Sequence, residues 1–296
     1  MNWHKFSPAI LTLLVFLLAQ GLEMVLILGV GILTSPEFSA AFQSFCRGEE
    51  LQSLPLYEVL SISYFSLILM AVNILAVLCC YFLMHNIHFA ATFDFSAIRW
   101  CPGMLAVVGG FLGALSISII TDAMELPDVM LQISLAMSHN ICGLFALVIV
   151  GPITEELLFR EAIAGEMLRR GASPWVAIIV SALAFSIVHL NFDQGLYFAQ
   201  GLYALPLGII FGIIYYKTGN IVLTSLLHIF NNGIVVAQLY TMNEDIANLS
   251  LLEWFGDPLK AYAAMLFLGL LCIAVMKLFW DCYLPLQRNK RKSVPY

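Results

Sequence analysis

The sequence predicts an all-α fold, a polytopic membrane bundle of about eight transmembrane helices. The first observation is composition: the 296 residues are 61% hydrophobic and only 11% charged, against roughly 25% charged in soluble domains. The second is that several apolar stretches reach the roughly 20 residues that a helix needs to cross a bilayer. The third is a strong asymmetry in where lysine and arginine fall between these stretches, which is typical of membrane proteins.

The first apolar stretch follows a single lysine, Lys5. It is much longer than the roughly 7–15 apolar residues of a signal peptide, and we interpret it as a retained first span. The other stretches follow with short connections and no repeat of fixed period. The predicted spans cover residues 8–34, 57–84, 102–121, 131–152, 174–190, 196–216, 220–240 and 261–284.

Placing the amino terminus inside puts most basic residues on the inner side of the predicted bundle. The outer connections then hold two basic residues, Arg47 and Lys260, and are acidic overall. Because positively charged connections stay in the cytoplasm, we expect an integral membrane protein with both termini cytoplasmic. The compact chain, with no visible organellar presequence or retention signal, favours a bacterial cell (inner) membrane. The inner set comprises ten residues: Lys5, Arg99, Arg160, Arg169, Arg170, Lys217, Arg288, Lys290, Arg291 and Lys292.

Charge and cysteine content argue against several other kinds of protein. The formal net charge is −6, and no basic patch interleaved with aromatic residues is present. We therefore expect the lipid bilayer and no nucleic acid as a partner. The seven cysteines show no CxxC spacing, which argues against a disulfide framework and against a structural zinc cluster. The sequence leaves the oligomeric state open.

The stretch GPITEELLFR places two carboxylates and a guanidinium at the end of the fourth apolar run. On a helix, Glu156 and Arg160 are four residues apart in the order that favours an ion pair, whereas Glu155 points about 100° away. One carboxylate is thus neutralised and the other is left available. Gly151 and Pro152 favour a new helix beginning here, with the carboxylates near its positive end. The alternative is that both glutamates face the cytoplasm at a helix end, followed by the solvated run EAIAGEMLRR.

Two further polar groups lie in the apolar spans that follow. His189 comes four residues after Phe185, near the end of the fifth span. His228 and Asn232 share a face of the seventh span, where such polar side chains are costly unless they are paired. Each histidine alone is typical of hydrogen bonding between helices. Together with Glu155 they predict either a divalent metal site or a site that positions and deprotonates a water.

In chain order, these groups form the motifs EExxxR, FxxxH and HxxxN on successive helices. The set resembles the CAAX protease and bacteriocin-processing family of intramembrane proteases, also called the CPBP or Abi family, with its type II CAAX prenyl endopeptidases. The resemblance covers roughly residues 140–240. It implies one integral membrane domain, with amino-terminal helices in 1–135, a catalytic core in 136–245, and a last helix with a basic cytoplasmic tail in 246–296.

The resemblance also implies a role for each motif residue. Glu155 would be the general base for the attacking water, and His189 would share this water. His228 and Asn232 would stabilise the tetrahedral oxyanion. Glu156 and Arg160 would orient the site, and Phe185 would pack beside it.

The implied function is an intramembrane endopeptidase that hydrolyses a peptide bond of a membrane-associated protein or peptide. We favour no cofactor, because Glu155 cannot easily be both a metal ligand and the base. The alternative is a zinc ion held by Glu155, His189 and His228. Two other functions stay open: an ion- or proton-coupled transporter, and a non-catalytic immunity or membrane-partner protein of the same fold. Against the transporter, no inverted repeat is visible.

The predicted depths of the site residues disagree. His189 lies about 22 Å along its helix from Pro174, whereas Glu155 lies near the inner surface if a helix begins at Pro152. Either the fifth helix starts in the cytoplasm, or the segment after Pro152 dips back into the protein.

Three residues outside the motifs receive structural interpretations. The spacing of Gly208 and Gly212 predicts close helix packing inside the bundle rather than a dimer face. Glu23 is a carboxylate in the first span with no visible partner, and we favour polar packing over catalysis for it.

Overall fold

A computed structural model describes residues 3–47, 59–84, 92–123, 134, 136–190, 199–241 and 255–283. These residues form helices and connections, and none of them is in a β-strand. The helices are α1 (Ser7–Thr34), α2 (Pro36–Cys46), α3 (Ser63–Met84), α4 (Trp100–Ala123), α5 (Ile141–Arg169), α6 (Pro174–Val188), α7 (Ala199–Thr218), α8 (Val222–Thr241) and α9 (Pro258–Cys282), with short 3₁₀ turns at Trp3–Lys5 and Phe95–Ala97.

The predicted fold class, a polytopic helical membrane bundle, is confirmed. Within the described residues, six helices are long and apolar enough to cross a membrane: α1, α3, α4, α5, α7 and α9. The helices α6 and α8 are apolar but shorter. Each predicted span overlaps one of these eight helices. The tail predicted to be basic lies, from residue 284 onward, outside the described residues.

The fourth predicted span differs most from the structure. It was expected to cover 131–152, with a new helix at Pro152, but α5 runs without a break from Ile141 to Arg169. Proline is tolerated here because the helix changes register: two π-helical stretches, Ala146–Val150 and Glu156–Gly165, flank the α-helical turn that contains Pro152. Such π segments are rare and occur frequently at functional sites. The prediction of a helix start at Pro152 is therefore wrong.

The carboxyl-terminal half of α5 is buried rather than solvated. Residues 156–167 are all buried. Arg169 pairs with the carboxylates of Glu161 and Glu166 at 2.8 Å each, and Arg170 pairs with Glu166 at 2.8 Å. The hydroxyl of Tyr215, on α7, donates to Glu161 at 2.5 Å. Two buried carboxylates are thus balanced by two arginines, which excludes the solvated-run interpretation of EAIAGEMLRR.

The packing of α6 on α7 confirms the interpretation of two glycines. A Cβ atom added to Gly208 would lie 3.0 Å from the Cα of Ala182, and one added to Gly212 would lie 2.9 Å from Ile178. Only glycine permits so close an approach without displacement of α6. This contact fixes the distance between the helix that carries His189 and its neighbour.

Two hydrogen bonds join segments that lie next to the ends of different helices. The Nζ atom of Lys5 donates to the carbonyl of Gly171, in the α5–α6 connection, at 2.6 Å. The hydroxyl of Tyr283, after α9, accepts from the backbone N–H of Arg99 at 3.2 Å. All four positions were assigned to the same side of the membrane or to its border. That this side is the cytoplasm stays a prediction.

Candidate active site

Three helices bring one carboxylate and two imidazoles together. The Oε2 atom of Glu155, on α5, lies 3.9 Å from Nε2 of His189, at the end of α6. The same oxygen lies 3.7 Å from Nε2 of His228, on α8. The depth disagreement disappears because Glu155 lies near the middle of the long helix α5, not at the start of a new one. The three side chains are 29%, 24% and 8% exposed, so one end of the group is accessible.

The tautomer of His189 follows from its backbone contact. Its Nδ1 lies 2.7 Å from the carbonyl oxygen of Phe185, four residues earlier. Because a carbonyl only accepts hydrogen bonds, Nδ1 carries the hydrogen. The Phe185 ring packs on the imidazole at 4.4 Å and limits its rotation. In the neutral form, the lone pair of Nε2 therefore faces Glu155.

His228 lies between the two adjacent glutamates. Its Nδ1 is 3.2 Å from Oε1 of Glu156, while its Nε2 faces Glu155. An ionised carboxylate only accepts hydrogen bonds, so Nδ1 of His228 is the donor to Glu156. Both imidazoles thus donate through Nδ1 and present Nε2 to the same carboxylate oxygen.

Arg160 supports this arrangement from the buried side. Its Nε lies 3.1 Å from Oε2 of Glu156, and both side chains are fully buried. The angles are unfavourable, since no nitrogen of this guanidinium has an aligned hydrogen-bond partner among the described residues. The interaction is therefore mainly a charge pair. The guanidinium also lies 4.5 Å from the ring centre of Phe185 and 5.2 Å from that of Phe211, within the range of cation–π contacts.

Asn232 binds the backbone of α5. Its Nδ2 donates to the carbonyl of Leu147 at 3.1 Å. That carbonyl lacks its usual helical partner, because the N–H of Gly151 donates to Ala146 instead and Pro152 has no N–H. The asparagine therefore satisfies a backbone group that the π-helical register sets free, and it ties α8 to α5 two turns before Glu155.

A chain of side-chain hydrogen bonds leads to Asn232 from α7. The hydroxyl of Tyr203 donates to Oδ1 of Asn231 at 2.8 Å. Nδ2 of Asn231 lies 3.4 Å from Oδ1 of Asn232. Each bond fixes which end of the next carboxamide is the donor. In the sequence, Asn231 directly precedes the asparagine of the HxxxN motif, whereas Tyr203 is one aromatic residue among many in apolar helices.

The site carries an unbalanced charge when both imidazoles are neutral. Glu155 and Glu156 contribute two negative charges, and Arg160 contributes one positive charge. The two Nε2 lone pairs and the Glu155 carboxylate are all acceptors. A water, a proton on one imidazole, or a cation matches such a group, because each supplies a hydrogen-bond donor or a positive charge, which three acceptors lack.

The matching part of the chain coincides with this site. The family model described as type II CAAX prenyl endopeptidase Rce1-like matches residues 137–234. Over this segment, the chain is similar to the CAAX protease family. The membrane-embedded CAAX protease MroQ of Staphylococcus aureus (strain USA300) is 31% identical over 99 residues, which make up 31% of this chain and 37% of that protein. The chain thus matches well under half of that relative's length. No solved structure matches the chain.

The matched segment comprises α5, α6 and α7 and most of α8. It contains Glu155, His189, His228 and Asn232. The amino-terminal helices α1–α4 and the last helix α9 lie outside it. The charge cluster and both imidazoles therefore lie entirely within the matched segment.

The side chains of this site fit a metal ion by their chemistry, but the distances between them fit less well. Metal-binding histidines almost always donate their other N–H to a carboxylate or carbonyl, as both histidines do here. In a tetrahedral zinc site, neighbouring ligand atoms lie about 3.4 Å apart. The distances of 3.7 and 3.9 Å from Glu155 to His228 and His189 are longer, and no group of three potential ligands within the described residues meets metal-site geometry.

Proposed function

We propose that this protein is an intramembrane endopeptidase that hydrolyses a peptide bond of a membrane-associated protein or peptide. One observation carries the proposal: both histidine Nε2 atoms approach the same oxygen of Glu155, at 3.9 and 3.7 Å. A water between these atoms can donate to two of them and accept from the third when its Nε2 is protonated. The similarity of residues 137–234 to the CAAX protease family supports the same reaction class.

Glu155 is the general base in the proposed mechanism. It is the one carboxylate of the pair that Arg160 does not neutralise, and at 29% exposed it is not enclosed by the protein. His189 accepts a second hydrogen bond from the same water through Nε2 and so aligns an oxygen lone pair on the substrate carbonyl. Glu155 takes the water's proton as the oxygen attacks, and later returns it to the leaving amine.

His228 stabilises the oxyanion in its protonated form. A proton on Nε2 brings the net charge of the site to zero, and Glu156 holds the imidazolium through Nδ1 at 3.2 Å. The imidazolium then donates to the developing oxyanion. Asn232 donates with the N–H that does not bind Leu147. Loss of one such donor typically costs about 10²- to 10³-fold in kcat.

We propose no obligatory metal. Should zinc bind, Glu155, His189 and His228 would hold it, and the ion would supply an acidified water and a polarised carbonyl. The base would then have to be Glu156. That carboxylate already faces Arg160 at 3.1 Å and His228 at 3.2 Å, which leaves it poorly placed to take a proton.

The proposed site of action is a bacterial cell membrane, with both termini in the cytoplasm. The substrate class is a membrane-anchored tail. The family description names prenyl substrates, so the assay compares a quenched fluorescent peptide ending in a farnesylated cysteine motif with the same peptide lacking the lipid.

The test uses the full-length chain reconstituted in liposomes. We expect cleavage by the wild-type protein and none by Glu155→Gln, which keeps the side-chain shape and removes the base. Thermal unfolding in detergent checks that the variant folds. Cleavage of neither peptide by the wild-type protein, or full activity of Glu155→Gln, contradicts the proposal.

A further inference from the structure

Outside the candidate active site, the first helix, α1, carries polar groups at two depths. Near its middle, the two oxygens of Glu23 accept hydrogen bonds from Nδ2 of Asn73 and from Nε2 of Gln20, at 2.7 Å each. This carboxylate is satisfied within the chain, which confirms its interpretation as polar packing. The start of α1 differs, because a cavity lies there beside Arg170, about 20 Å along α5 from Glu155.

This cavity has a volume of about 290 Å³ and combines apolar walls with one basic side chain. Four of the lining residues on α1 are spaced i, i+3, i+4 and i+7, so they share one face of the helix. They extend over about 10 Å of the helix axis. The cavity thus reaches from the border of the bundle into the apolar layer. Its lining residues are Ser7, Pro8, Ile10, Leu11, Leu14 and Arg170.

The basic groups at this cavity keep hydrogen-bond donors to spare. Nε of Arg170 donates to Glu166 at 2.8 Å, and Nη1 donates to two groups at or just before the start of α1. Nη2 has no hydrogen-bond partner among the described residues, so its two N–H groups remain. The ammonium of Lys5 donates to the carbonyl of Gly171, next to Arg170, at 2.6 Å. An ammonium has three N–H groups, and two of them remain as well.

The charges around the cavity leave an excess of one positive charge. The buried carboxylates of Glu161 and Glu166 balance the guanidinium groups of Arg169 and Arg170. The ammonium of Lys5 has no carboxylate partner among the described residues. A ligand with one negative charge and several oxygen acceptors matches this excess. Because the deeper walls are leucine and isoleucine, the matching ligand also has an apolar part.

We propose that this cavity binds one anionic phospholipid. Its phosphate lies at Arg170 and Lys5, and the first part of one acyl chain lies along Ile10, Leu11 and Leu14. Basic pockets between membrane helices bind acidic lipid headgroups in the same way. The volume is at the lower end of the roughly 300–1,000 Å³ of ligand pockets, so most of the lipid stays in the bilayer. The bound lipid joins the start of α1 to the end of α5.

Native mass spectrometry of the full-length chain in detergent, titrated with single lipids, tests the charge requirement. We expect one phosphatidylglycerol to bind more tightly than phosphatidylcholine, and inorganic phosphate not to be retained. Lys5→Gln and Arg170→Gln should each weaken phosphatidylglycerol binding roughly 5-fold, the usual effect of one basic residue at an anionic membrane surface. Lys277→Gln is the matched control: this lysine is also paired four residues along a helix, but it does not line the cavity.

Leu14→Trp tests the apolar wall and leaves every charge in place. The side chain of Leu14 is 54% exposed, so a larger ring enters the cavity without displacing the buried core. We expect loss of the tight phosphatidylglycerol complex. Leu18→Trp, one turn further along the same face and outside the cavity, is the control and should bind as the wild type does.

Four results would overturn the inference. They are equal binding of both lipids by the wild-type chain, equal binding of inorganic phosphate and phosphatidylglycerol, unchanged binding in both Lys5→Gln and Leu14→Trp, and equal losses in the control variants. Arg170→Gln takes a partner from the buried Glu166, so thermal unfolding checks its fold. Should it not fold, the other two variants still decide, because neither changes a partner of a buried carboxylate. None of these results depends on proteolytic activity.

Discussion

The buried pair of Glu156 and Arg160 makes a strong prediction about stability. The atoms Oε2 and Nε are 3.1 Å apart, and both side chains are fully buried. At an effective dielectric constant of about 20, two unit charges at this distance attract each other by about 5 kcal/mol. Removing one partner leaves the other charge buried alone, which typically costs about 3–5 kcal/mol. We expect Glu156→Gln and Arg160→Met each to lower the free energy of unfolding by this amount.

The double variant separates the charge pair from simple loss of packing. In Glu156→Gln/Arg160→Met neither member of the pair is charged, and a methionine packs well between the rings of Phe185 and Phe211. We expect the double variant to be more stable than the sum of the single effects predicts, by about 3 kcal/mol or more. Unfolding in detergent, followed by circular dichroism, measures all the variants.

A second ion pair in the chain is a matched control. Lys277 and Asp281 are also four residues apart on a helix, but their side chains are 68% and 53% exposed. Lys277→Met and Asp281→Asn are expected to change the unfolding free energy by less than about 1 kcal/mol each. Additive effects of Glu156→Gln and Arg160→Met, or effects no larger than those of the exposed pair, would refute the assignment of a buried charge pair.

The remaining predictions concern the site and the topology. Tyr203→Phe breaks the hydrogen-bond chain that orients Asn232, so kcat should fall roughly 3- to 10-fold, as expected for about 1 kcal/mol, with KM unchanged; an unchanged kcat would remove this role. Reporter fusions at Asn248 and Tyr296 should read external and internal, and an external carboxyl terminus would contradict the predicted orientation. Purified active protein should lack stoichiometric zinc and keep its activity with a chelator; activity lost on chelation and restored by zinc would make both histidines ligands.

The sequence predicted the bundle well because apolar stretches of sufficient length have few alternatives to membrane helices. It predicted the site residues less completely. The three motifs correctly named side chains that the structure brings together on α5, α6 and α8. The hydrogen-bond partners of these side chains were not predictable, because Phe185 and Leu147 contribute backbone carbonyls, which every type of residue has.

The error at Pro152 has a specific physical cause. Proline is common in the first turn of a helix, so Gly151 and Pro152 favoured a helix start. A π-helical turn also accommodates a missing N–H, by shifting the neighbouring bond from the fourth to the fifth preceding carbonyl, as the N–H of Gly151 does toward Ala146. The two cases have the same local sequence. The structure distinguishes the two cases through Asn232, which binds the carbonyl of Leu147 that the π-helical turn leaves without a helical partner.

The adjacency of the two glutamates explains how one helix can both hold the proposed base and leave it without an ion-pair partner. Neighbouring residues point about 100° apart on a helix, so Glu155 and Glu156 reach different nitrogens of the same imidazole, that of His228. A spacing of three or four residues would place both carboxylates on one face, and Arg160 would then neutralise both. With adjacent carboxylates, Arg160 neutralises Glu156 alone, Glu156 fixes the tautomer of His228, and Glu155 keeps its charge beside the accessible Nε2 atoms. Exchanging the roles of the two positions would put the free carboxylate in the fully buried place, out of reach of water.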